Sequence, residues 1–348
     1  MSKSKSKRPS GHPARVNRGA AARGAGGGAG SGNRTPSAAG VGPGARAAAG
    51  AGGRAAAGPR SAAGAWIAGA RLRTLTLSIA PVALGAGAAA VMTDIDITLA
   101  LLCLAVSVLL QVGVNYANDY SDGIRGTDDY RVGPPRLTGS GLVPAKRVLA
   151  VAIVCFGLAA VAGLAITVIT GHWWLLAVGA AAIAAGWFYT GGKHPYGYYA
   201  LGEVFVFVFF GIVATAGTTF ILAGDVSTES WLSGIAIGLI ACAVLMANNI
   251  RDIDQDKLAK KRTLSVLIGR TASRVVYVVY LVLAYAILWF FSLLYPLAPL
   301  VFFTLLITVP ASIIMITARQ PREFIIVLQL TSLFGLLYGV GLGLAFAL

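Results

Sequence analysis

Long apolar segments constrain this chain more than any other feature of its sequence. From about residue 66 onward, hydrophobic runs of about 20 residues follow one another, and this is the length that an α-helix needs to cross the ~30 Å hydrocarbon core of a bilayer. Hydrophobic residues make up 57% of the 348 positions and charged residues only 12%, which lies outside the usual range of soluble domains. The sequence therefore predicts an all-α polytopic membrane protein.

Nine such runs predict a bundle of about nine transmembrane helices. They cover approximately residues 67–91, 97–118, 147–169, 172–190, 202–223, 231–250, 273–295, 297–317 and 325–347. Gly171, His172 and Gly186 interrupt the fourth run, and only Tyr295-Pro296 separates the seventh run from the eighth. These boundaries are therefore the least sharply marked in the sequence.

The distribution of charge predicts an orientation for these spans. Lys and Arg accumulate in the cytoplasmic loops of membrane proteins, and nine crossings from a cytoplasmic N-terminus place all 28 Lys and Arg residues on the cytoplasmic side. The outer loops then carry only acidic charge, at Asp94, Asp96, Asp225 and Glu229. We therefore expect a multi-pass protein of the cell membrane with a cytoplasmic N-terminus and with Leu348 outside.

Residues 1–64 differ in composition from the rest of the chain. They are rich in Gly, Ala, Ser, Pro and Arg, with eleven Lys or Arg residues and no Asp or Glu. Such a segment cannot bury enough apolar surface to offset its ordering entropy, so we predict a disordered basic tail before a transmembrane domain at 65–348. Because the tail has no aromatic residue for base stacking, weak attraction to anionic lipid head groups is favoured over nucleic-acid binding.

Two acidic segments follow the second and the sixth apolar runs. The first is NYANDYSDGIRGTDDYRVGPPRLTGSG, from Asn115 to Gly141, and the second is NNIRDIDQDKLAKKRTL, from Asn248 to Leu264. In the expected topology both segments hang from cytoplasmic helix ends at the membrane boundary. We predict that the two segments form one active site.

Each acidic segment has three polar residues at positions i, i+3 and i+7, which lie on one stripe of a helix. The trios are Asn115, Asn118 and Asp122 in the first segment, and Asn249, Asp252 and Asp256 in the second. Asp119 lies beside Asp122, whereas Asp254 points away from its stripe. Carboxylates crowded at the edge of a low-dielectric medium repel one another, so such a stripe requires a cation or raised pKa values.

Basic residues near both segments leave two interpretations open. In the first, Mg²⁺ bridges the acidic clusters and a phosphate ligand, since Mg²⁺ prefers one or two carboxylates together with waters and phosphate oxygens. Arg and Lys then bind the same phosphates. In the second, the basic residues form ordinary salt bridges with the Asp side chains. The residues concerned are Arg125, Arg131, Arg136, Lys257, Lys261 and Arg262.

These motifs resemble the UbiA superfamily of intramembrane prenyltransferases over about residues 66–348. The resemblance rests on Asn118-Asp-Tyr-Ser-Asp122 with Arg136-Leu-Thr-Gly-Ser-Gly141, and on Asn249-Ile-Arg-Asp252-Ile-Asp-Gln-Asp256 with Lys261-Arg-Thr-Leu. Three further segments resemble the sequences of one branch of the superfamily, which transfers polyprenyl groups to 1,4-dihydroxy-2-naphthoate in menaquinone synthesis. They are GIRGTDDYRVGPPRLTGSG, ARLRTLTLSIAPVALG and FYTGGKHPYGYYALGE.

The resemblance implies a helix bundle around a central cavity, a polyprenyl diphosphate donor, Mg²⁺ as cofactor and an aromatic quinol-precursor acceptor. The implied product is demethylmenaquinol, released with diphosphate and CO2. The implied metal ligands are Asn118, Asp119, Asp122, Asp252 and Asp256, and catalytic roles are expected for Asp122, Asp252, Asp256 and Lys193. The expected diphosphate-binding residues are Arg125, Arg131, Arg136, Lys193, Arg251 and Lys261. The expected residues for the other substrate contacts are Arg73, Asn115, Tyr116, Tyr189 and Asn249.

Two positions depart from the family pattern. Gly126 stands where the superfamily often has a further Asp, so Asp128 or Asp129 is expected to substitute from a shifted loop. Lys260 stands where a Gly is usual before the Lys261-Arg-Thr-Leu run, and as an exposed residue it is expected to change little.

Breaking a prenyl C–O bond requires stabilised charge on the diphosphate and an apolar pocket that keeps water from the allylic cation. The candidates to line that pocket are Tyr116, Phe188, Tyr189, Phe205 and Phe209, with ordinary helix packing as the alternative for each. Glu203 lies just inside the fifth span, where a charge is costly, so an intramembrane ion pair and a role in the site are both open.

Two other functions remain open at this point. The first is prenyl transfer to a different acceptor, such as 4-hydroxybenzoate, haem, a chlorophyllide or phosphoribosyl diphosphate. The second is cation transport, in which the acidic helix ends coordinate a moving ion. Transporters usually place their ion sites near the bilayer midplane, whereas these carboxylates lie at one predicted surface, which favours the enzyme.

Overall fold

The computed structural model describes residues 62–127 and 136–348, and all the longer regular elements in these ranges are helices. The helices are α1 (Ala62–Ala70), α2 (Thr76–Ala90), α3 (Ile97–Ile124), α4 (Ala145–Thr170), α5 (Leu175–Phe188), α6 (Gly202–Ala223), α7 (Thr228–Arg251), α8 (Ile253–Leu258), α9 (Leu264–Ser292), α10 (Ala298–Thr317) and α11 (Pro321–Ala347). The predicted tail lies outside the described residues, apart from its last three positions, where α1 begins.

The chain is a multi-pass membrane protein, as predicted. In the described ranges, seven helices are long and apolar enough to cross a membrane, and the bent pair Ala63–Thr74 and Thr76–Ala90 counts as an eighth span. The ninth expected crossing, the fourth apolar run, forms a helix that is shorter than these spans. Gly171 ends α4 in the left-handed region with φ 73°, and α5 then has only 14 residues, or about 21 Å at the rise of an α-helix.

Although α5 is short, it connects the two ends of the bundle. Near its start, the ring of His172 lies 4.9 Å from that of Phe220 near the end of α6. Just after its end, the Thr190 hydroxyl donates to Asn118 near the end of α3 at 2.6 Å. The chain therefore returns after α5 to the end of the bundle where α3 finishes, and α6 and α7 form the next pair of crossings.

Small residues let several helices approach closely. A Cβ added at Gly87 of α2 would lie 2.2 Å from the Gly343 carbonyl oxygen of α11, and one at Gly211 of α6 would lie 2.6 Å from Gly238 Cα of α7. Helix association in lipid depends on such contacts, because burial from water does not drive it there. The part from α7 to α11 also buries large side chains in one core, among them Tyr277, Phe334 and Tyr338.

Candidate active site

A single elongated cavity joins the two acidic segments to the middle of the bundle. Its volume is about 400 Å³. Its polar end is lined by Asn118, Asp122, Arg136, Asn249, Asp252, Asp256 and Lys261. Its apolar end is lined by Val82, Cys103, Ile166, Leu175, Val178 and Ile221. Cys103 and Asp122 both lie on α3 and are 19 positions apart, which corresponds to about 28 Å along an α-helix.

Asp122 is the best-paired carboxylate of the site. It is buried, and its Oδ1 accepts hydrogen bonds from the Tyr198 hydroxyl at 2.9 Å and from Lys261 Nζ at 3.2 Å. Arg136 Nη2 lies 3.6 Å from Oδ2. The Lys261 ammonium also stands 4.6 Å from the centre of the Tyr198 ring, a distance at which a cation–π attraction operates. The structure thus brings Lys261 of the second acidic segment onto the carboxylate of the first.

Asp256 has fewer partners and a raised pKa. Its Oδ2 accepts from the Thr263 hydroxyl at 3.4 Å. Burial raises its pKa to about 6, and the charges of Asp252 and Asp122 add to this effect while Lys261 opposes it. Burial lowers the pKa of Lys261, but the carboxylates of Asp122 and Asp256 more than offset this and raise its pKa above the usual range. Lys261 therefore keeps its positive charge beside two acids.

Asp252 is held by its sequence neighbour. Arg251 Nε donates to Asp252 Oδ1 at 2.7 Å, and Arg251 Nη2 donates to Asn248 Oδ1 at 2.7 Å. Arg251 is buried behind Asp252 and is not among the residues that line the cavity. Its contacts orient the Asp252 carboxylate, in contrast to the diphosphate contact that the sequence predicted for it.

The oxygen atoms at the polar end fit a hard cation such as Mg²⁺, provided that a ligand completes its coordination. Within residues 62–127 and 136–348, no three Asp, Glu, His or Cys side chains stand close enough to hold an ion alone. Mg²⁺ commonly takes only one or two carboxylates and completes its shell with waters and substrate phosphates. The arrangement of Asp122, Asp252 and Asp256 is of this open kind.

Several predicted site residues serve the scaffold instead of lining the cavity. Both oxygens of Asp119 accept backbone N–H groups, from Leu137 at 3.0 Å and from Thr138 at 2.8 Å, so this carboxylate anchors the loop after α3. Arg125 donates to the carbonyls of Thr190 and Gly192. Its guanidinium therefore joins the loop after α5 to the end of α3.

Other predicted contacts fall elsewhere. Arg73 and Lys193 are exposed and do not line the cavity, while Arg131, Asp128 and Asp129 lie outside the described residues. Metal binding by Asp119 and diphosphate binding by Arg125 and Lys193 stay predictions that these positions do not favour.

Asn115 and Tyr116 attach the bent first span to α3. Asn115 Nδ2 donates to the Ala70 carbonyl at 2.9 Å and to the Thr74 hydroxyl at 3.2 Å. The Tyr116 hydroxyl donates to the Trp66 carbonyl at 2.9 Å. Asn115 lines the cavity and Tyr116 does not, so only the first of the two is positioned for a substrate contact.

Three of the five candidate aromatic residues line the cavity. Tyr189, Phe205 and Phe209 do so, whereas Tyr116 is buried elsewhere and Phe188 is 51% exposed. The Phe205 ring stacks on Tyr196, with 3.9 Å between centroids. These rings border the region where the polar end of the cavity meets its apolar part.

Sequence reasoning assigned no role to Arg71, Thr190 or Tyr198. All three line the cavity. Arg71 takes a left-handed conformation with φ 53° at the bend before α2, which a non-glycine residue rarely adopts. The available signal for Tyr198 was its place in the YGYY stretch after α5, but nothing in that stretch indicates its partner Asp122.

The fold and this cavity define a class: helical membrane proteins with an acid-lined site at one end of an apolar cavity. The chain belongs to the UbiA prenyltransferase family, whose model matches residues 78–324. Among solved structures, a UbiA homolog from Aeropyrum pernix K1 has the same fold, with a TM-score of 0.57, 18% identity, and 76% of this chain and 96% of that chain covered. A UbiA homolog from Archaeoglobus fulgidus, bound to DMAPP and Mg²⁺, aligns with a TM-score of 0.57 and 15% identity over 79% of this chain and 99% of that chain.

Curated relatives are similar over about half of this chain. A 1,4-dihydroxy-2-naphthoate octaprenyltransferase from Mycobacterium tuberculosis is 51% identical over 172 residues, which are 49% of this chain and 59% of that protein. The enzyme of the same name from Escherichia coli is 36% identical over 172 residues, 48% of this chain and 56% of that protein. The chain thus matches less than two thirds of the length of these relatives.

Proposed function

We propose that this protein transfers a polyprenyl group from polyprenyl diphosphate to 1,4-dihydroxy-2-naphthoate, with Mg²⁺ as cofactor. The products are demethylmenaquinol, diphosphate and CO2, and the reaction belongs to menaquinone synthesis. The observation that carries this proposal is the single cavity, which runs for about 28 Å along α3 from buried Asp122 and Lys261 to an apolar end. A polyprenyl diphosphate has the same division into a strongly negative head and a long apolar tail.

The polar end supplies the groups that a departing diphosphate needs. Asp122, Asp252 and Asp256 would hold Mg²⁺, with amide oxygens from Asn118 and Asn249. When bound, Mg²⁺ stabilises the negative charge that develops on the leaving group. Lys261 and Arg136, which neutralise Asp122 in the structure, also bind phosphate oxygens when the donor arrives.

The apolar part keeps water away from the allylic carbon. Its walls carry no charged residue from Cys103 to Val114 on α3, so a carbocation formed there meets the acceptor ring before it meets water. The rings of Tyr189, Phe205 and Phe209 border this region, and aromatic faces attract cations. These residues guide the reaction by shape and electrostatics.

Arg71 is the residue that we assign to the acceptor carboxylate. The sequence suggested Arg73, but Arg73 is exposed whereas Arg71 lines the cavity close to Thr74. A guanidinium recognises a carboxylate through paired N–H donors. Gln111 and Asn115 line the same region and offer polar atoms to the ring hydroxyls.

We also infer that the polar end of the cavity faces the cytoplasm. All 28 Lys and Arg residues lie on that side in the nine-crossing topology, in accord with the positive-inside rule. A cysteine introduced at Leu348 should then react with an impermeant maleimide from outside the cell, whereas one at Lys257 should react only after permeabilisation. The reverse pattern would invert the orientation.

The decisive assay uses the purified protein in lipid vesicles with labelled polyprenyl diphosphate. 1,4-Dihydroxy-2-naphthoate and 4-hydroxybenzoate are supplied separately, each with Mg²⁺ and with EDTA. We expect product from the naphthoate alone, and only with Mg²⁺. Product from 4-hydroxybenzoate instead would retain the donor chemistry and reject the acceptor. Cation flux without any prenyl transfer would favour the transporter.

A further inference from the structure

Glu203 is a buried acid that the proposed reaction has not yet used. It lies in the first turn of α6, is 6% exposed, and does not line the cavity. Within residues 62–127 and 136–348, no Lys, Arg or His forms an ion pair with it. An unpaired carboxyl inside a membrane span is costly and usually has a functional reason.

The side-chain partner of Glu203 is the amide of Asn249. Asn249 Nδ2 donates to Glu203 Oε1 at 3.1 Å, and the Cys242 thiol donates to the Glu203 backbone carbonyl at 3.2 Å. These contacts attach the start of α6 to the final turns of α7. Asn249 itself lines the cavity, on the helical stripe that continues to Asp252 and Asp256.

An ionised carboxylate fixes the orientation of an amide because it only accepts hydrogen bonds. The nitrogen of Asn249 must therefore face Glu203, and the oxygen must face away. Asn249 Oδ1 has no hydrogen-bond partner in the described part of the chain, although Asn249 is only 7% exposed. An amide oxygen at the wall of the cavity is a ligand type that Mg²⁺ accepts.

We propose that Glu203 is a positioning residue that locks the Asn249 amide, so that its Oδ1 serves as an oxygen ligand for the divalent cation of the site. This inference rests on the proposed function for the presence of that cation. Partners that orient a metal ligand in this way are typically worth 10- to 100-fold in metal affinity.

The test measures Mn²⁺ binding by electron paramagnetic resonance, on the full chain in lipid nanodiscs with inorganic pyrophosphate and without prenyl donor. Glu203→Met removes the acceptor but keeps a side chain of similar length, so that packing is retained. Glu203→Gln keeps an acceptor oxygen and removes the charge. We expect Glu203→Met to weaken Mn²⁺ binding by about 10- to 100-fold, and Glu203→Gln, which still accepts from Asn249 but can also donate, to lose only a few-fold.

The difference in Mn²⁺ affinity between the two variants decides whether Glu203 positions the Asn249 amide. Wild-type affinity in Glu203→Met would overturn the inference, because a role in packing alone predicts that result. Equal losses in both variants would also overturn it, since they indicate a long-range effect of charge. Glu229→Gln, which removes an acid at the opposite end of α7, is the matched control and should bind Mn²⁺ as wild type does.

The same samples separate this inference from the proposed reaction. In one outcome, the wild-type protein binds Mn²⁺ with pyrophosphate and transfers no prenyl group to the naphthoate. If Glu203→Met then still binds Mn²⁺ more weakly than Glu203→Gln, the proposed acceptor is rejected and the role of Glu203 is kept. Wild-type protein that binds no Mn²⁺ would overturn the role of Glu203.

Discussion

The two acidic helix ends, at α3 and at α7, share a sequence pattern but differ in how their charge is balanced. Asp122, in the last turn of α3, is in contact with Lys261, Arg136 and Tyr198. Asp256 after α7 has only the Thr263 hydroxyl within hydrogen-bonding distance among the described residues. The first carboxylate is in contact with two basic side chains, whereas the second feels the charge of Lys261 but forms no ion pair within the described part of the chain.

The asparagines of the two ends differ in a parallel way. Asn118 Oδ1 accepts from the Thr190 hydroxyl at 2.6 Å, while Asn249 Nδ2 donates to Glu203. A hydroxyl both donates and accepts, so either amide orientation satisfies it, whereas a carboxylate satisfies only one. The α3 end therefore keeps an adjustable amide, and the α7 end keeps a fixed one.

The largest expected effect comes from removing the carboxylate that we propose binds the metal without a basic partner. Asp256→Asn should lower turnover by about 10³-fold, the scale of losing a direct electrostatic contact to the transition state, with little loss of thermal stability. Asp122→Asn should also abolish turnover, but it leaves Lys261 and Arg136 in place for diphosphate. Donor binding and turnover in vesicles check both variants, and near-normal rates in either would break the two-ended site.

A second prediction concerns the part of the bundle before α7, where helices line the apolar part of the cavity, in contrast to the part from α7 to α11, where large side chains fill the core. Gly217 of α6 lines the cavity and has open space at its Cβ position. Gly217→Phe should therefore fill the apolar part, lower turnover with a long polyprenyl donor by about 100-fold, and spare a short donor.

Gly157 on α4 is the matched control, since it also has open space but lies outside the cavity. Gly157→Phe should leave the use of both donors unchanged. Equal loss of short and long donors in Gly217→Phe would show that the tail runs elsewhere.

The acidity of Asp256 makes the requirement for Mg²⁺ depend on pH. Because burial raises its pKa to about 6, its proton competes with the metal, and the half-saturating Mg²⁺ concentration should rise as the pH falls below this value. The rise approaches about tenfold per pH unit when one proton is displaced. Titrations of activity against Mg²⁺ between pH 5 and 8 measure it, and a flat profile would contradict the difference between the two ends.

The smallest expected effect is at the adjustable amide. Thr190→Val removes the hydroxyl that contacts Asn118, and we expect Mn²⁺ affinity to fall only a few-fold, well below the loss in Glu203→Met. The Mn²⁺ resonance assay compares the two variants directly. A loss as large as that of Glu203→Met would show that Asn118 is also fixed.

Much of the fold could be predicted because each membrane span is a continuous apolar run of the sequence. The spans α3, α4, α6, α7 and α11 lie where the apolar runs indicated. The fourth run formed a shorter helix than the others because a left-handed Gly171 and the turn after it use part of the apolar run. Arg71 received no role from the sequence, because nothing at the start of the first apolar run indicates the bend at the short turn Leu72–Thr74.

The acids of the site and the basic residues beside them were predictable, whereas their hydroxyl partners were not. Asp122 and Asp256 were conspicuous because carboxylates at the ends of apolar helices are unusual. Tyr198 and Thr190 lie 76 and 72 residues from their partners Asp122 and Asn118. Ordinary hydroxyl residues in a loop carry no signal of contacts at that range, so only the folded chain reveals them.

The short helix α5 has a consequence for the lipid around the protein. Its 14 residues span about 21 Å, whereas the hydrocarbon core is about 30 Å thick and hydrophobic mismatch has a cost for each ångström. Leu175 and Val178 of this helix border the cavity, so a bilayer that thins to match α5 would do so beside the apolar end of the cavity. Lipid thickness would thereby act on this wall of the cavity, because thicker membranes increase the mismatch at α5.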